Sequence, residues 1–174
     1  MTAATTPMNL TRAAHAGISV SDLDASVAFH KALTGREPVT EGTMSSVPFG
    51  KSQGLPTSKL RYATINPDNS LGIDLIQFQE PVGERTNGKA NRPGSMHLCL
   101  KVDDFDAVYQ RMKDAGYDFL GDDCTFIAGE VTPVAALGTK VATSTIRRYE
   151  PGDHPARVRL RRLKRVAGGR GWAG

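Results

Sequence analysis

Two histidines in similar local sequences are the residues of this chain whose types and spacing point most directly to chemistry. His15 begins HAGISVSDLDASVAFHKALTG and His97 begins HLCLKVDDFDAVYQRMKDAG, and the two lie 97 − 15 = 82 residues apart. Asp74, in the apolar segment GIDLIQF, needs a partner because burying a lone carboxylate is costly. If a pseudo-twofold axis relates the two halves, these three groups converge and form a site for one divalent transition metal: Zn, Mn, Fe, Ni or Co.

Simpler interpretations of the same residues stay open. A histidine on a strand is often hydrogen-bonded within the structure rather than bound to a metal, and Asp74 has Arg61 and Lys101 as alternative partners for a structural ion pair. Arg61 and Lys101 are also candidates to bind an anionic substrate group. Cys99 shares the face of His97 and is a third substrate-binding candidate, although a free cysteine usually behaves as a small hydrophobe. No catalytic residue is assigned.

The elements that position these residues follow from periodicity. His15–Val20 and His97–Val102 alternate between apolar and polar residues, which predicts a strand in each half with the histidine opposite the apolar face. Ser21 and Asp103 are the predicted N-caps of the helices that follow. Each helical pattern ends at a glycine, Gly35 or Gly116.

Composition bounds the class of protein. A length of 174 residues fits one domain, and two cysteines are too few for a disulfide framework. The absence of a long apolar run or a signal-peptide pattern predicts a cytoplasmic chain that does not enter the membrane. Residues 147–174 hold nine Arg/Lys and two acids, or +7, so residues 1–146 carry 4 − 7 = −3. We therefore expect nucleic acid to bind only non-specifically, through the basic tail.

The segments HAGISVSDLDASVAFHKALTG, SLGIDLIQF and SMHLCLKVDDFDAVYQRMKDAG resemble the vicinal-oxygen-chelate superfamily. This superfamily includes glyoxalase I, methylmalonyl-CoA epimerase, extradiol dioxygenases, and fosfomycin- and bleomycin-resistance proteins. The resemblance implies an α+β fold in which two βαβββ modules form a cupped mixed sheet around a divalent metal. On this pattern His15 and His97 match the first-strand ligands of the two modules, and Asp74 matches the carboxylate or glutamine position.

The domain boundaries expected from this resemblance have four parts. Residues 1–9 are a disordered N-terminus. Residues 10–142 form the domain, with module one at 10–81 and module two at 95–142. Residues 143–174 are a basic tail.

The tail departs from the family pattern. The superfamily usually closes with a strand of the type Leu-Glu-Leu, whose glutamate is the fourth metal ligand, and nothing after Lys140 matches it. With suitable codons, residues 143–147 read out of frame give Phe-Asp-Asp-Pro, and residues 148–155 give Gly-Thr-Asn-Leu-Glu-Ile-Ile-Gln. We therefore interpret the tail as an out-of-frame translation and expect module two to lack its last strand.

The function implied by the resemblance is that of a metal-dependent small-molecule enzyme: a lyase, an isomerase or a dioxygenase. In such an enzyme the metal acts as a Lewis acid that chelates two vicinal oxygens of the substrate. Two alternatives are a metal-free, ligand-sequestering protein of the bleomycin-resistance kind and an inactive, truncated paralogue. A homodimer is expected, because many members of the superfamily pair modules across a dimer and an open sheet edge favours association.

Overall fold

Two strand–helix–strand modules follow one another along the chain. The structure, a computed structural model, describes residues 13–68, 71–84, 90–130, 136–145 and 157–162. In chain order the elements are β1 His15–Ser19, α1 Leu23–Thr34, β2 Thr40–Ser45, α2 Val47–Ser52, β3 Lys59–Ile65, β4 Gly72–Glu80, β5 His97–Lys101, α3 Phe105–Asp114, β6 Cys124–Thr125, β7 Lys140–Thr145 and β8 Arg157–Arg162.

The two modules share one topology. The first sheet has the strand order β1-β4-β3-β2 and the second has β5-β8-β7-β6. In each sheet the first strand runs parallel to its neighbour, β4 or β8, and the other pairs are antiparallel. The repeat seen in the sequence is therefore a repeat of structure, and the expected α+β fold of two modules with mixed sheets is confirmed.

The second module has a last strand, which corrects the expectation that it would be missing. β8 pairs with β5 on one side and with β7 on the other. Its sequence, RVRLRR, alternates basic and apolar residues, and Val158 and Leu160 are each only 1% exposed. Alternation with a period of two is what a half-buried strand requires. The departure from the family motif pointed away from a strand here, although the alternation itself indicates one.

Each main helix begins one residue later than the sequence predicted. Asp22, not Ser21, caps α1 by accepting a hydrogen bond from the Ala25 N–H at 3.0 Å. Asp104, not Asp103, caps α3 in the same way. Both neighbouring residues are able to cap, so composition alone does not decide between them. Gly35 ends α1 at φ 69°, in the left-handed conformation that was predicted.

Helix α1 covers the first sheet. Leu23 packs in a buried apolar cluster with Ala63 and Ile65 of β3 and with Ile73 and Leu75 of β4. These strand residues alternate with the residues of the opposite face, so the apolar half of each strand meets the helix.

Helix α1 also joins the second module. Phe29 and Leu33 of α1 belong to the cluster formed by Phe105 and Met112 of α3 with Val158, and Ala142 and Leu160 complete it. The Arg111 guanidinium of α3 donates to the Leu33 carbonyl oxygen. The helix-covered faces of both sheets therefore meet one helical layer, and both opposite faces turn away from it. We call these two opposite faces together the cup face.

His30 lies inside this helical layer. Its ring is fully buried, its Nδ1 lies 2.8 Å from the Ser26 carbonyl oxygen, and its ring meets Phe29 edge to face. Burial disfavours the charged imidazolium, which lowers the pKa of His30 below its ordinary value of 6.5. His30 thus belongs to the packed interior.

Several sequence predictions lie outside the described residues. They include the N-terminal segment 1–9 and the parts of the basic tail at 146–156 and 163–174. Of the helices that the structure describes, none is both long enough and apolar enough to span a membrane.

Candidate functional site on the cup face

The first sheet presents a histidine and a carboxylate side by side on the cup face. His15 and Gly17 of β1 share this face with Asp74, which is the register partner of Gly17. The His15 Nδ1 lies 3.7 Å from the Asp74 Oδ2, with 56% of the histidine side chain and 23% of the aspartate side chain exposed. A ligand on this face therefore reaches both groups.

Asp74 is held in place by its neighbour on β3. The Thr64 hydroxyl donates to Asp74 Oδ1 at 2.7 Å, and Thr64 is also the register partner of Asp74. This bond occupies one carboxylate oxygen and leaves the other turned toward His15. The carboxylate is thus oriented by a residue that the sequence analysis did not select, although its place opposite Asp74 follows from strand register.

Apolar side chains extend this face away from the histidine. Tyr62 of β3 pairs with Ile76 of β4, and both share the face of Asp74, as does Phe78. All three are half-buried. A few polar groups beside apolar and aromatic side chains are the usual composition of a small-molecule site.

Arg61, a predicted substrate-binding residue, lies on the helix-covered face instead. Its Nη2 donates to Asp24 Oδ1 of α1 at 2.8 Å. This bond lowers the pKa of Asp24 and raises the pKa of Arg61. Asp74 therefore pairs with His15 and Thr64 rather than with Arg61, and Arg61 does not reach the cup face.

The second sheet carries the other three predicted residues. His97, Cys99 and Lys101 lie on the cup face of β5, alternating with Leu98 and Leu100. All three are exposed, and Cys99 is a free thiol. The structure thus places the three residues on one strand face, as their alternation predicted.

Arg159 occupies the place in the second sheet that Asp74 occupies in the first. Asp74 lies two residues after Gly72, the register partner of His15. Arg159 lies two residues after Arg157, the register partner of His97. The pairing with the neighbouring strand repeats as well: Asp74 faces Thr64, and Arg159 faces a threonine of β7, Thr143. A guanidinium thus stands where the symmetry of the fold would place a second carboxylate.

The donor set does not fit a divalent metal. Within residues 13–68, 71–84, 90–130, 136–145 and 157–162, no three or more His, Cys, Asp or Glu side chains are arranged to hold a metal ion. His15 and Asp74 come together, but His97 does not join them in such a group. Arg159, on the strand where the family pattern has its glutamate ligand, adds a positive charge that repels a cation.

Comparison with known proteins gives one match to a family model. The model of the glyoxalase, bleomycin resistance protein and dioxygenase superfamily matches residues 14–143. No curated protein was found that matches the chain.

Solved structures share the fold at low sequence identity. A glyoxalase family protein from Bacillus cereus aligns with a TM-score of 0.71 at 18% identity, over 92% of this chain and 99% of that one. A glyoxylase/bleomycin resistance protein/dioxygenase domain from Frankia aligns with a TM-score of 0.59 at 15% identity, over 92% of this chain and 96% of that one. A glyoxalase I mutant from Zea mays aligns with a TM-score of 0.55 at 17% identity, over 89% of this chain and 46% of the maize chain.

Proposed function

Because this chain belongs to the glyoxalase, bleomycin resistance protein and dioxygenase superfamily, we propose that it binds a small organic molecule on its cup face without a resident metal. The observation that carries the proposal is the exposed His15–Asp74 pair, 3.7 Å apart, beside an apolar surface. Tyr62, Ile76 and Phe78 form this surface. The composition favours a ligand with an aromatic or apolar body and a polar group at one end.

The proposed role of His15 is to exchange a proton with the polar group of the ligand. An imidazole can donate a proton from one ring nitrogen and accept one at the other, and a carboxylate lies beside this ring. Asp74 supplies that carboxylate, and the Thr64 hydroxyl fixes its orientation through the bond to Oδ1. These three residues belong to β1, β4 and β3 of one sheet, so their spacing is set by strand register.

A metal-dependent enzyme, whether lyase, isomerase or dioxygenase, is the second candidate. One observation favours it: His15 and Asp74 are adjacent, and Asp74 is oriented by a hydrogen bond, as carboxylates that bind metals commonly are. The donor set argues against it, because His97 stands apart from the pair and Arg159 takes the position related to Asp74 by the repeat. We assign no step of the proposed function to a metal.

Calorimetric titration with catechol, an aromatic molecule that carries two neighbouring oxygens, tests the proposal. The protein is first treated with a chelator, and zinc, manganese or iron is then added to separate samples. We expect catechol to bind the metal-free protein, with weaker binding in His15→Ala and Asp74→Asn. The control Lys31→Gln alters an exposed residue of α1 that pairs with Glu37.

Three outcomes separate the candidates. Binding to the metal-free protein supports the proposal. Binding that requires one added metal per chain, and that fails in His97→Ala as well, supports the metal-dependent enzyme. Failure of catechol to bind under either condition, in a protein whose circular dichroism shows it to be folded, overturns both and favours an inactive paralogue.

A further inference from the structure

We infer that the ligand of the cup carries an oxyanion, a carboxylate or a phosphate, which binds to three cationic side chains of the second sheet. These side chains, which we call the cationic cluster, are Lys101 on β5 and Arg159 and Arg161 on β8. The inference rests on the proposed function, because it assumes that the cup face receives a small molecule.

Strand register brings the cationic cluster together. Lys101 and Arg161 are direct partners across the parallel pair of β5 and β8. Adjacent strands lie about 4.8 Å apart, and two positions along one strand span roughly 6.6 Å. Arg159, two residues before Arg161, therefore lies on the same face and within reach of the same small group.

The strands around the cluster supply no negative charge. Outside the cluster itself, the register partners of the two arginines are Cys99 of β5 and Thr143 and Val141 of β7. None of these is acidic, and in the part of the chain that the structure describes no ion pair joins the cluster to a carboxylate. Neighbouring like charges repel, so the cluster favours an anion that reaches all three groups.

Arg161 has a hydrogen-bond donor that is still unused. Its Nε is buried and has no acceptor among the described residues. A buried N–H group without a partner is unfavourable, so an acceptor brought by a ligand is stabilised there. An oxyanion offers such an acceptor together with the negative charge.

Arg159 is already oriented for binding. Its Nε donates to the Thr143 hydroxyl at 3.3 Å, which restricts the side chain from the β7 side. A guanidinium is planar and carries further N–H donors that bind carboxylate or phosphate oxygens in pairs. Thr143 is the positioning residue in this arrangement.

The opposite charges on the two sheets set the orientation of the ligand. Asp74 on the first sheet repels an anionic group, whereas the cationic cluster on the second sheet attracts it. We therefore place the anionic end of the ligand on the second sheet, away from Asp74. The proton exchange proposed for His15 takes place at the end remote from the anion.

Paired probes that differ in charge and hardly in shape test the inference. Benzoate and benzamide are titrated into the full chain by calorimetry, and inorganic phosphate is added as a competitor. We expect benzoate to bind at least about tenfold more tightly than benzamide, the factor that 1.4 kcal/mol of favourable charge interaction gives. Phosphate is expected to displace benzoate and to leave benzamide bound.

Substitutions locate the effect. Arg159→Gln and Arg161→Gln should each remove the preference for benzoate, and Thr143→Val should reduce it while benzamide binding stays the same. Lys101→Gln changes an exposed side chain and gives a second readout if either arginine variant fails to fold. Arg36→Gln, which removes an exposed arginine just after α1, is the charge-matched control and should keep the preference.

The possible results separate this inference from the proposed function. Equal binding of the two probes overturns the inference alone, because the cup then binds ligands without regard to charge. Binding of neither probe, together with no binding of catechol, overturns the proposed function and the inference with it. Tight binding of a short DNA duplex that depends on Arg159 and Arg161, without benzoate binding, also overturns the inference and assigns the cluster to a nucleic acid.

Discussion

Asp74 and Arg159 occupy equivalent positions in the two sheets, and each is hydrogen-bonded to a threonine on the neighbouring strand. The Thr64 hydroxyl donates to the carboxylate at 2.7 Å, whereas the Thr143 hydroxyl accepts from the guanidinium at 3.3 Å. A hydroxyl can donate or accept a hydrogen bond, so a threonine can be the partner of a carboxylate or of a guanidinium. The repeat has kept the geometry of this position and reversed its charge.

Arg159→Glu should therefore raise the affinity of the chain for a divalent metal. The change removes a repelling cation and restores a carboxylate on the strand of the family's glutamate ligand. We expect zinc or nickel to bind at least about tenfold more tightly than to the unchanged chain, in line with a gain of more than 1.4 kcal/mol of charge interaction. Metal titration followed by calorimetry measures it.

Arg36→Glu makes the same change in net charge outside the cup face. If this variant gains as much metal affinity as Arg159→Glu, the effect comes from overall charge and the equivalence of Asp74 and Arg159 has no bearing on metal binding. We expect no gain from Arg36→Glu.

His30 should make the stability of the fold depend on pH. Burial lowers its pKa in the folded chain below 6.5, so below that pH the unfolded chain binds more protons than the folded chain does. Its contribution to the free energy of unfolding is complete above pH 6.5 and is lost as the pH falls from 6.5 through the folded pKa. Urea unfolding on both sides of pH 6.5 measures this loss.

The substitution His30→Phe should flatten that dependence, because the side chain no longer titrates. His97→Gln removes an exposed histidine and should leave the dependence as it was. A slope that persists unchanged in His30→Phe would show that other groups cause it.

Phe29→Ala should destabilise both modules together. The side chain of Phe29 is fully buried, and its ring meets the Tyr117 ring edge to face with the ring centroids 5.0 Å apart. It belongs to the cluster that includes Phe105 and Val158 of the second module. Truncating a buried phenylalanine costs about 3–5 kcal/mol. Chemical unfolding should show a single transition at lower denaturant concentration, and two separate transitions would contradict the shared core.

An exposed residue provides the comparison. Val82 is 77% exposed, so Val82→Ala should change the free energy of unfolding by less than about 0.5 kcal/mol. A comparable loss in the two variants would mean that burial of Phe29 is not the cause.

The out-of-frame interpretation of residues 143–174 predicts a shift in the gene. The family model matches residues 14–143. The two recovered segments lie in different reading frames, so sequencing the source gene through this region should reveal more than one insertion or deletion between the codons of Lys140 and Arg148. A continuous frame through the tail, present also in close relatives, is the result that rejects this interpretation. The charge of the cationic cluster belongs to the chain as translated and does not depend on the answer.

Local patterns predicted the first module well. The alternation that begins at His15 and the segment containing Asp74 became neighbouring parallel strands, and Gly35 ended the helix between them. These features depend on residues close in sequence, where periodicity and capping act directly. The choice between Ser21 and Asp22 as the cap did not follow, because it depends on how the chain enters the helix.

Contacts between elements were harder to predict. Arg61 looked like a ligand-binding residue, but a strand residue reaches the cup or the helix according to its register, and register places Arg61 beside Asp24. The equivalence of Arg159 and Asp74 also depends on register, because β8 had to be recognised as a strand before its partners could be assigned. The sequence carried that signal in the alternation RVRLRR, while the comparison with the family motif pointed away from it.

The way β8 fills its place has a consequence for how such sheets evolve. Val158 and Leu160 of β8 pack in the interior, and Arg159 and Arg161 lie on the opposite face. The position beside β5 therefore requires alternating apolar and polar residues rather than a particular sequence. The strand can therefore form even when all of its outward-facing side chains are replaced. Mutation can then change the side chains of the cup face, and with them the ligands that it binds, while the sheet keeps its strand order.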